Sequence, residues 1–213
     1  DGTLDNVDAT TEEEKMSLLV DERDVRFVLF DQLDIGELTK TEAFKEHSDE
    51  DFQMVLTEAH RLAENVLAPA HVDGDRTGAR YEDGKVTVPE SFQACYQGMC
   101  EGGWICPSDD MEVGGQGLPT SLCTAAYEMF FAANCALTLY PTLNHGAGKL
   151  VEKHGTDAQK ALYLERLYFG EWAGTMCLTE PGAGSDLGVL KTKAVRNPDG
   201  TFRIEGTKQF ITA

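Results

Sequence analysis

Basic side chains are scarce in this chain. Lys and Arg number 18 in 213 residues against 37 Asp and Glu, for a net charge of −19. A field of that sign repels a phosphate backbone, so nucleic acid is excluded as a general partner. A phosphate-bearing ligand would have to be held by local donors such as backbone N–H groups. Paired cysteine motifs are absent as well. Cys95, Cys100, Cys106, Cys123, Cys135 and Cys177 include no C-x-x-C spacing, and the set Cys95, Cys100 and Cys106 matches no cluster motif. Free, mostly buried thiols and no metal site are therefore expected. The chain does not open on the charged segment and apolar run of a secretory leader. A reducing compartment follows as the expectation: the cytoplasm or, in a eukaryote, the mitochondrial matrix. An unbroken membrane-length run is also lacking. Ser121 to Leu143 holds one charge, yet Glu128, Asn134 and Pro141 interrupt it and no basic flank orients it, whereas a span needs roughly 20 lipid-compatible residues. No membrane span is expected.

What is present suffices for a proper core. Hydrophobic residues make up 41% of the chain and aromatics 8%, which suits one large or two smaller domains. Residues 1–15 carry six acids and one base and read as a mobile acidic tail. Residues 16–47 read as a helical extension, with Val25, Val28, Leu29 and Leu33 on one face and Phe27 and Phe30 on another, the stretch 34–47 serving as a linker. A helix capped by Ser48 follows, with Phe52, Val55, Leu56, Ala59, Leu62, Ala63 and Val66 at 3.6-residue spacing, and Pro69 is expected to end it. After a polar loop rich in Gly and Asp, Pro89 starts a helix carrying Phe92, Cys95, Tyr96 and Met99 on one face and closing at Gly102-Gly103.

The Gly-rich segment 103–119 suits either a cofactor or substrate wall or a connector. From Pro119 a helix apolar nearly all round reads as the central buried helix of an all-helical domain. His145, near a helix start, reads as a packing or hydrogen-bonding residue and not a catalytic one. Thr156 and Gln159 form a capping box for the next helix, which stops at Gly170. Beyond Trp172 the period changes to that of strands. Met176 to Thr179 reads as a buried strand, and L-K-T-K-A-V-R and T-F-R-I-E-G flank an N-P-D-G turn, with Phe202 and Ile204 on one face. Helices first and strands second make an α+β chain: a helical domain over 48–170 and the first part of a β domain over 171–213. So few strands are marginal alone, which leads to the expectation that the chain is the front part of something longer.

Only the stretch 172–188, W-A-G-T-M-C-L-T-E-P-G-A-G-S-D-L-G, speaks of chemistry. Gly182 and Gly184 flank Ala183 and lead to Ser185 and Asp186. Glycines can turn successive N–H groups inward as an anion-binding nest, and Ser185 or Thr179 can add a hydroxyl donor. Spacing alone fits a tight turn between strands equally well.

The run M-C-L-T-E-P-G-A-G-S-D, after a helical region and followed by K-Q-F-I-T, closely resembles the first signature of flavin-dependent acyl-CoA dehydrogenases. W-A-G-T-M-C-L-T-E-P together with V-R-F-V-L-F resembles a long subgroup of that family, and the likeness covers residues 17–213. The resemblance implies an N-terminal helical domain, a middle β-barrel and a C-terminal helical bundle, with FAD between barrel and bundle. It implies that Met176, Cys177, Leu178 and Thr179 line the flavin, Thr179 donating toward the isoalloxazine. Gly184 and Ser185 would lie near the pyrophosphate, Ser185 also near the CoA arm of the substrate. Phe210, Ile211 and Thr212 would form the second flavin contact, Phe210 packing where many relatives carry Trp. The implied reaction removes an α-proton and passes the β-hydrogen as hydride to the flavin, giving an enoyl-CoA. Its base is a glutamate of the C-terminal bundle, so no catalytic residue is expected in this chain, and Glu180 is read as a loop orienter. Implied partners are an acyl-CoA substrate, an electron-transfer flavoprotein and further copies of the chain as a homo-oligomer. An acyl-CoA oxidase and a non-catalytic flavin-binding relative are the alternatives.

Overall fold

A computed structural model of the chain describes residues 19–212; the acidic segment 1–15 lies outside the described residues. Helix α1 (Glu22–Arg26) starts where the Asp21 carboxylate accepts the N–H groups of Arg23 and Asp24. It widens into a π-turn over Phe27–Gln32 and is followed by a 3-10 turn over Ile35–Lys40. The wider turn rotates the residues that follow, so Leu29 and Ile35 are buried while Val28 and Leu33 face solvent, against the face expected from the sequence. The stretch from residue 34 is thus no plain linker. Arg26 ties the extension to the next helix by donating to Gln53 Oε1 and Thr57 Oγ1.

Helix α2 (Asp49–Leu62) opens on a full capping box, with Ser48 and Asp51 satisfying each other's N–H groups, and buries Phe52, Leu56, Ala59 and Leu62. Pro69 does not end this run. A π-turn over Ala63–Leu67 leads directly into α3 (Ala68–Thr77), where Pro69 sits in the first turn and its missing N–H costs little. The Val66 and Leu67 carbonyls find partners elsewhere: Cys95 Sγ donates to the first and Asn134 Nδ2 to the second, both at 3.2 Å. The expected Gly/Asp loop holds a hairpin, β1 (Arg80–Glu82) against β2 (Lys85–Thr87). Asp83 and Gly84 turn it with φ of 50° and 80°, the left-handed pair that an Asp-Gly turn supplies.

Helix α4 (Glu90–Glu101) closes at Gly102-Gly103, where the Trp104 N–H reaches back to the Met99 carbonyl at 2.9 Å. The segment after it is folded inward, with Trp104, Ile105, Cys106, Asp109 and Leu118 buried. Helix α5 (Thr120–His154) is the centre of the fold and packs on α2, α4 and α6 (Asp157–Tyr168). It is two helices joined at Asn134, whose φ of −157° and ψ of 85° leave the helical region. Asn134 Oδ1 caps the second half by accepting the Leu137 N–H at 3.1 Å. By length and composition α5 could cross a membrane, but 56% of its most apolar window is buried inside this fold. Thr156 and Gln159 cap α6 as read, and Gly170, at φ 77°, follows its end.

The strand-like part is thinner. β3 (Lys193–Arg196) pairs antiparallel with β4 (Phe202–Glu205) across the N-P-D-G turn, with Gly200 at φ 89°. Met176 to Thr179 is extended but not a buried strand: it makes a single antiparallel bridge, Met176 to Thr212. Met176 and Leu178 are exposed because no second layer among the described residues covers them. The expectation of mostly buried thiols also needs correcting. Cys95, Cys106 and Cys123 are buried and Cys100 half-buried, whereas Cys135 and Cys177 are exposed.

Candidate functional site

The two segments singled out in the sequence lie side by side. Thr212 pairs with Met176, and the Gln209 N–H donates to the Thr179 carbonyl at 2.9 Å. Lys208 reinforces the junction, its ammonium donating to the Leu178 carbonyl and to Glu180 Oε1, each at 2.9 Å. Glu180 is the organiser. Buried to 5% exposure, its carboxylate accepts the N–H groups of Lys191 at 2.7 Å and Thr192 at 2.9 Å. The Thr192 side chain, the Lys191 N–H, the Lys208 ammonium and the Thr192 N–H together hold its pKa down to about 2. This is the loop-orienting role read from the sequence. Lys208 was not singled out there; its signal was a lone cation two residues before Phe210.

Of the two readings that spacing leaves open for the glycine loop, nest and tight turn, the structure shows the turn. Neither Gly182 nor Gly184 takes a left-handed conformation. Glu180 and Ala183 instead exchange backbone hydrogen bonds at 3.0 and 3.1 Å, which makes a tight turn with Ala183 buried beneath it. Beyond that turn Gly184 and Ser185 are exposed. Among the described residues the Gly184 and Ser185 amides and the Thr179 and Ser185 hydroxyls have no hydrogen-bond partner. They are open donors on the rim.

Between these polar elements lies an apolar ledge. Met176 and Leu178 share one side of the extended segment, two residues apart, and both are exposed; Ile211, next to the paired Thr212, is exposed on the other side. Phe210 is 83% exposed and adopts φ of 55°, a conformation that a bulky L-residue rarely takes and that costs on the order of 1–3 kcal/mol. Exposed contiguous apolar surface marks a place where something binds or packs. An apolar shelf bordered by open N–H and O–H donors fits a planar aromatic group with polar edges and an attached phosphate.

The ledge is anchored to the helices through Gly174, whose N–H donates to Asn144 Oδ1 at 2.8 Å inside the protein. Asn144 Nδ2 in turn donates to the Tyr96 hydroxyl, which donates to the Gly170 carbonyl at 3.1 Å. Burial pushes the Tyr96 phenol up to about 12, so the hydroxyl keeps its proton and can donate. A second polar cluster lies apart from the ledge. Asp109, buried, meets His145 Nε2 and the Lys149 ammonium, both at 2.6 Å, and Lys149 and the Tyr168 hydroxyl both meet Glu152. His145 is therefore a hydrogen-bonding residue of the helical region, pinning the 103–119 segment to α5.

The family model for the acyl-CoA dehydrogenase N-terminal domain matches residues 49–171, and that for the acyl-CoA dehydrogenase middle domain matches residues 175–213. The chain is 40% identical to 3-methylmercaptopropionyl-CoA dehydrogenase of Ruegeria pomeroyi over 191 residues, covering 88% of this chain and 32% of that protein. An acyl-CoA dehydrogenase of Bacillus anthracis, solved in complex with FAD, superposes with a TM-score of 0.63 at 25% identity, over 78% of this chain and 27% of that one. A chain in the structure of the electron transferring flavoprotein of Acidaminococcus fermentans gives a TM-score of 0.63 at 27% identity, over 78% and 40%. The chain spans about a third of the length of the curated relatives it matches. On these matches it belongs to the acyl-CoA dehydrogenase family, running through the N-terminal helical domain and into the middle domain.

Proposed function

We propose that this chain is the cofactor-side part of a flavoenzyme that oxidises an acyl-CoA thioester to the 2,3-enoyl-CoA, with FAD as cofactor and an electron-transfer flavoprotein as electron acceptor. The observation that carries the reading is the exposed apolar ledge of Met176, Leu178 and Phe210, bordered by the open donors of Thr179, Gly184 and Ser185. Met176 to Thr179 and Phe210 to Thr212 would hold the flavin ring. Gly184 and Ser185 would hold the pyrophosphate, with Ser185 also toward the CoA arm. Bound there, FAD would accept the β-hydrogen of the acyl group as hydride. The chain's own part is to bind and orient. Glu180 does not act as the base: its oxygens are taken by two N–H groups and an ammonium, and a pKa of about 2 makes it a poor proton acceptor. We assign the base to a residue outside this chain. The same reading includes a helical domain over 48–170, a β domain starting at 171, and a homo-oligomer in the cytoplasm or mitochondrial matrix.

The protein made from its complete gene tests this. It is expected to purify yellow, to lose its flavin absorbance when an acyl-CoA is added without oxygen, and to regain it faster with an electron-transfer flavoprotein than with air. A colourless protein, or one whose flavin no acyl-CoA bleaches, would sink the reading. Rapid consumption of oxygen would replace the dehydrogenase by an oxidase.

A further inference from the structure

The connector between α6 and the ledge is short, and both of its ends are held by one buried polar bridge. Asn144, 1% exposed on the second half of α5, accepts the Gly174 N–H at 2.8 Å and donates to the Tyr96 hydroxyl at 2.5 Å. Tyr96 carries the bridge to the Gly170 carbonyl. The two glycines fit closely where they sit. A methyl group at Gly174 would come to 2.5 Å from Ala147 Cβ and 2.8 Å from the Leu143 carbonyl, and one at Gly170 would meet Cys100 and Ile105. From Gly174 only two Cα–Cα steps, each of about 3.8 Å, separate the anchor from Met176, where the ledge pairs with Thr212. A buried amide so close to the ledge leaves the ledge little freedom to shift along or away from α5. A buried N–H that loses its acceptor is unfavourable, so the connector would have to move to recover one.

We propose that Asn144 is a positioning residue for the flavin site: through Gly174, and through Tyr96 to Gly170, it fixes the Met176–Thr179 edge of the ledge against the helical layer. This rests on the flavin reading above. Asn144 touches neither cofactor nor substrate in this role; it acts on the backbone that does. Asparagine suits the position because it offers one acceptor and one donor from a single short side chain. Leucine keeps the branched shape with bulkier methyl ends and has neither group, whereas aspartate keeps the acceptor for Gly174.

The experiment compares wild type, Asn144→Leu, Asn144→Asp and Tyr96→Phe in the full-length protein. Two readouts are used: amide hydrogen exchange across 170–179, which needs no cofactor, and flavin properties. In Asn144→Leu, exchange at Gly174 is expected to accelerate at least tenfold while α2 stays protected. Its flavin reduction potential and visible band shape should shift, and kcat should fall about tenfold or more with a smaller change in KM. Asn144→Asp should restore most of the protection and the band shape, and Tyr96→Phe should affect Gly170 more than Gly174. Accelerated exchange spread evenly over the helices, with flavin potential and kcat unchanged, would overturn the proposal and leave Asn144 an ordinary core residue. If Asn144→Leu does not fold, the Tyr96→Phe pattern decides: unchanged exchange at both glycines overturns the proposal. If the wild type holds no flavin, the functional reading fails separately, and the exchange data alone then decide whether Asn144 positions this edge.

Discussion

The helical region and the ledge use the same residue types to opposite ends. In the helices Phe52, Phe130, Leu56 and Met129 are wholly buried. In the ledge and its hairpin Phe210, Phe202, Ile204 and Met176 are each more than half exposed. The helices bury apolar surface against each other, and that burial is the main favourable term in their folding. The ledge is held mainly by polar ties instead: Glu180 to Lys208 and two amides, Gln209 to Thr179, and Gly174 to Asn144. One region is built to be stable and the other to present a surface. The difference predicts that substitutions in the first are read as stability and those in the second as binding.

The sharpest way to break this comparison is Phe130→Ala. Phe130 is fully buried with its ring 5.0 Å from that of Trp104 and 5.6 Å from that of Tyr127. Its truncation should cost about 3–5 kcal/mol in denaturant unfolding, and a loss below about 1 kcal/mol would mean that the helical core is not the stabilising unit. A smaller effect is expected at the α2 cap, where Ser48→Ala should lower stability by about 1 kcal/mol, measured as a shift in the denaturant midpoint at unchanged slope.

Glu180→Gln probes the polar frame of the ledge through pH. Because the folded protein holds this carboxyl near 2, the charged form is the favoured one. Its contribution is complete above the ordinary carboxylate pKa of about 4.3, and is lost as pH falls from there toward 2. Amide protection of Lys191 and Thr192 in the wild type should fall across that window, and Glu180→Gln should be weakly protected at pH 7 and insensitive below it. A wild type equally protected at pH 5 and pH 2 would remove Glu180 as organiser. The smallest change in stability belongs to Phe210→Ala, within about 0.5 kcal/mol of wild type, yet flavin should bind on the order of tenfold or more weakly by fluorescence titration. A large loss of stability with unchanged flavin affinity would invert the comparison.

Local signals in the chain were readable to the extent that a few neighbouring residues decide them. Ser48 with α2, Thr156 with Gln159, the Gly102-Gly103 stop and the N-P-D-G turn are each closed by contacts within a few residues, and each stands where it was expected. Pro69 does not end its helix because what accommodates it is distant: a π-turn whose carbonyls are taken by Cys95 and Asn134. Asp83-Gly84 is a local hairpin signal that a polar composition hides within an apparent loop. The apolar run from Met176 reads as a buried strand yet is exposed, because composition tells that a residue can be buried, not that a second layer lies over it.

The sequence by itself determined the order of helices and strands, their caps and turns, the family, and the two segments that carry the candidate chemistry. These depend on side-chain period, backbone preference and short motifs, all of which are local. Only the tertiary structure decided that the two segments meet edge to edge, that Glu180 and Lys208 clamp them, and that Asn144 and Tyr96 tie them to the helices. Those links join residues roughly 30 to 75 positions apart, and their geometry exists only once the helices have packed.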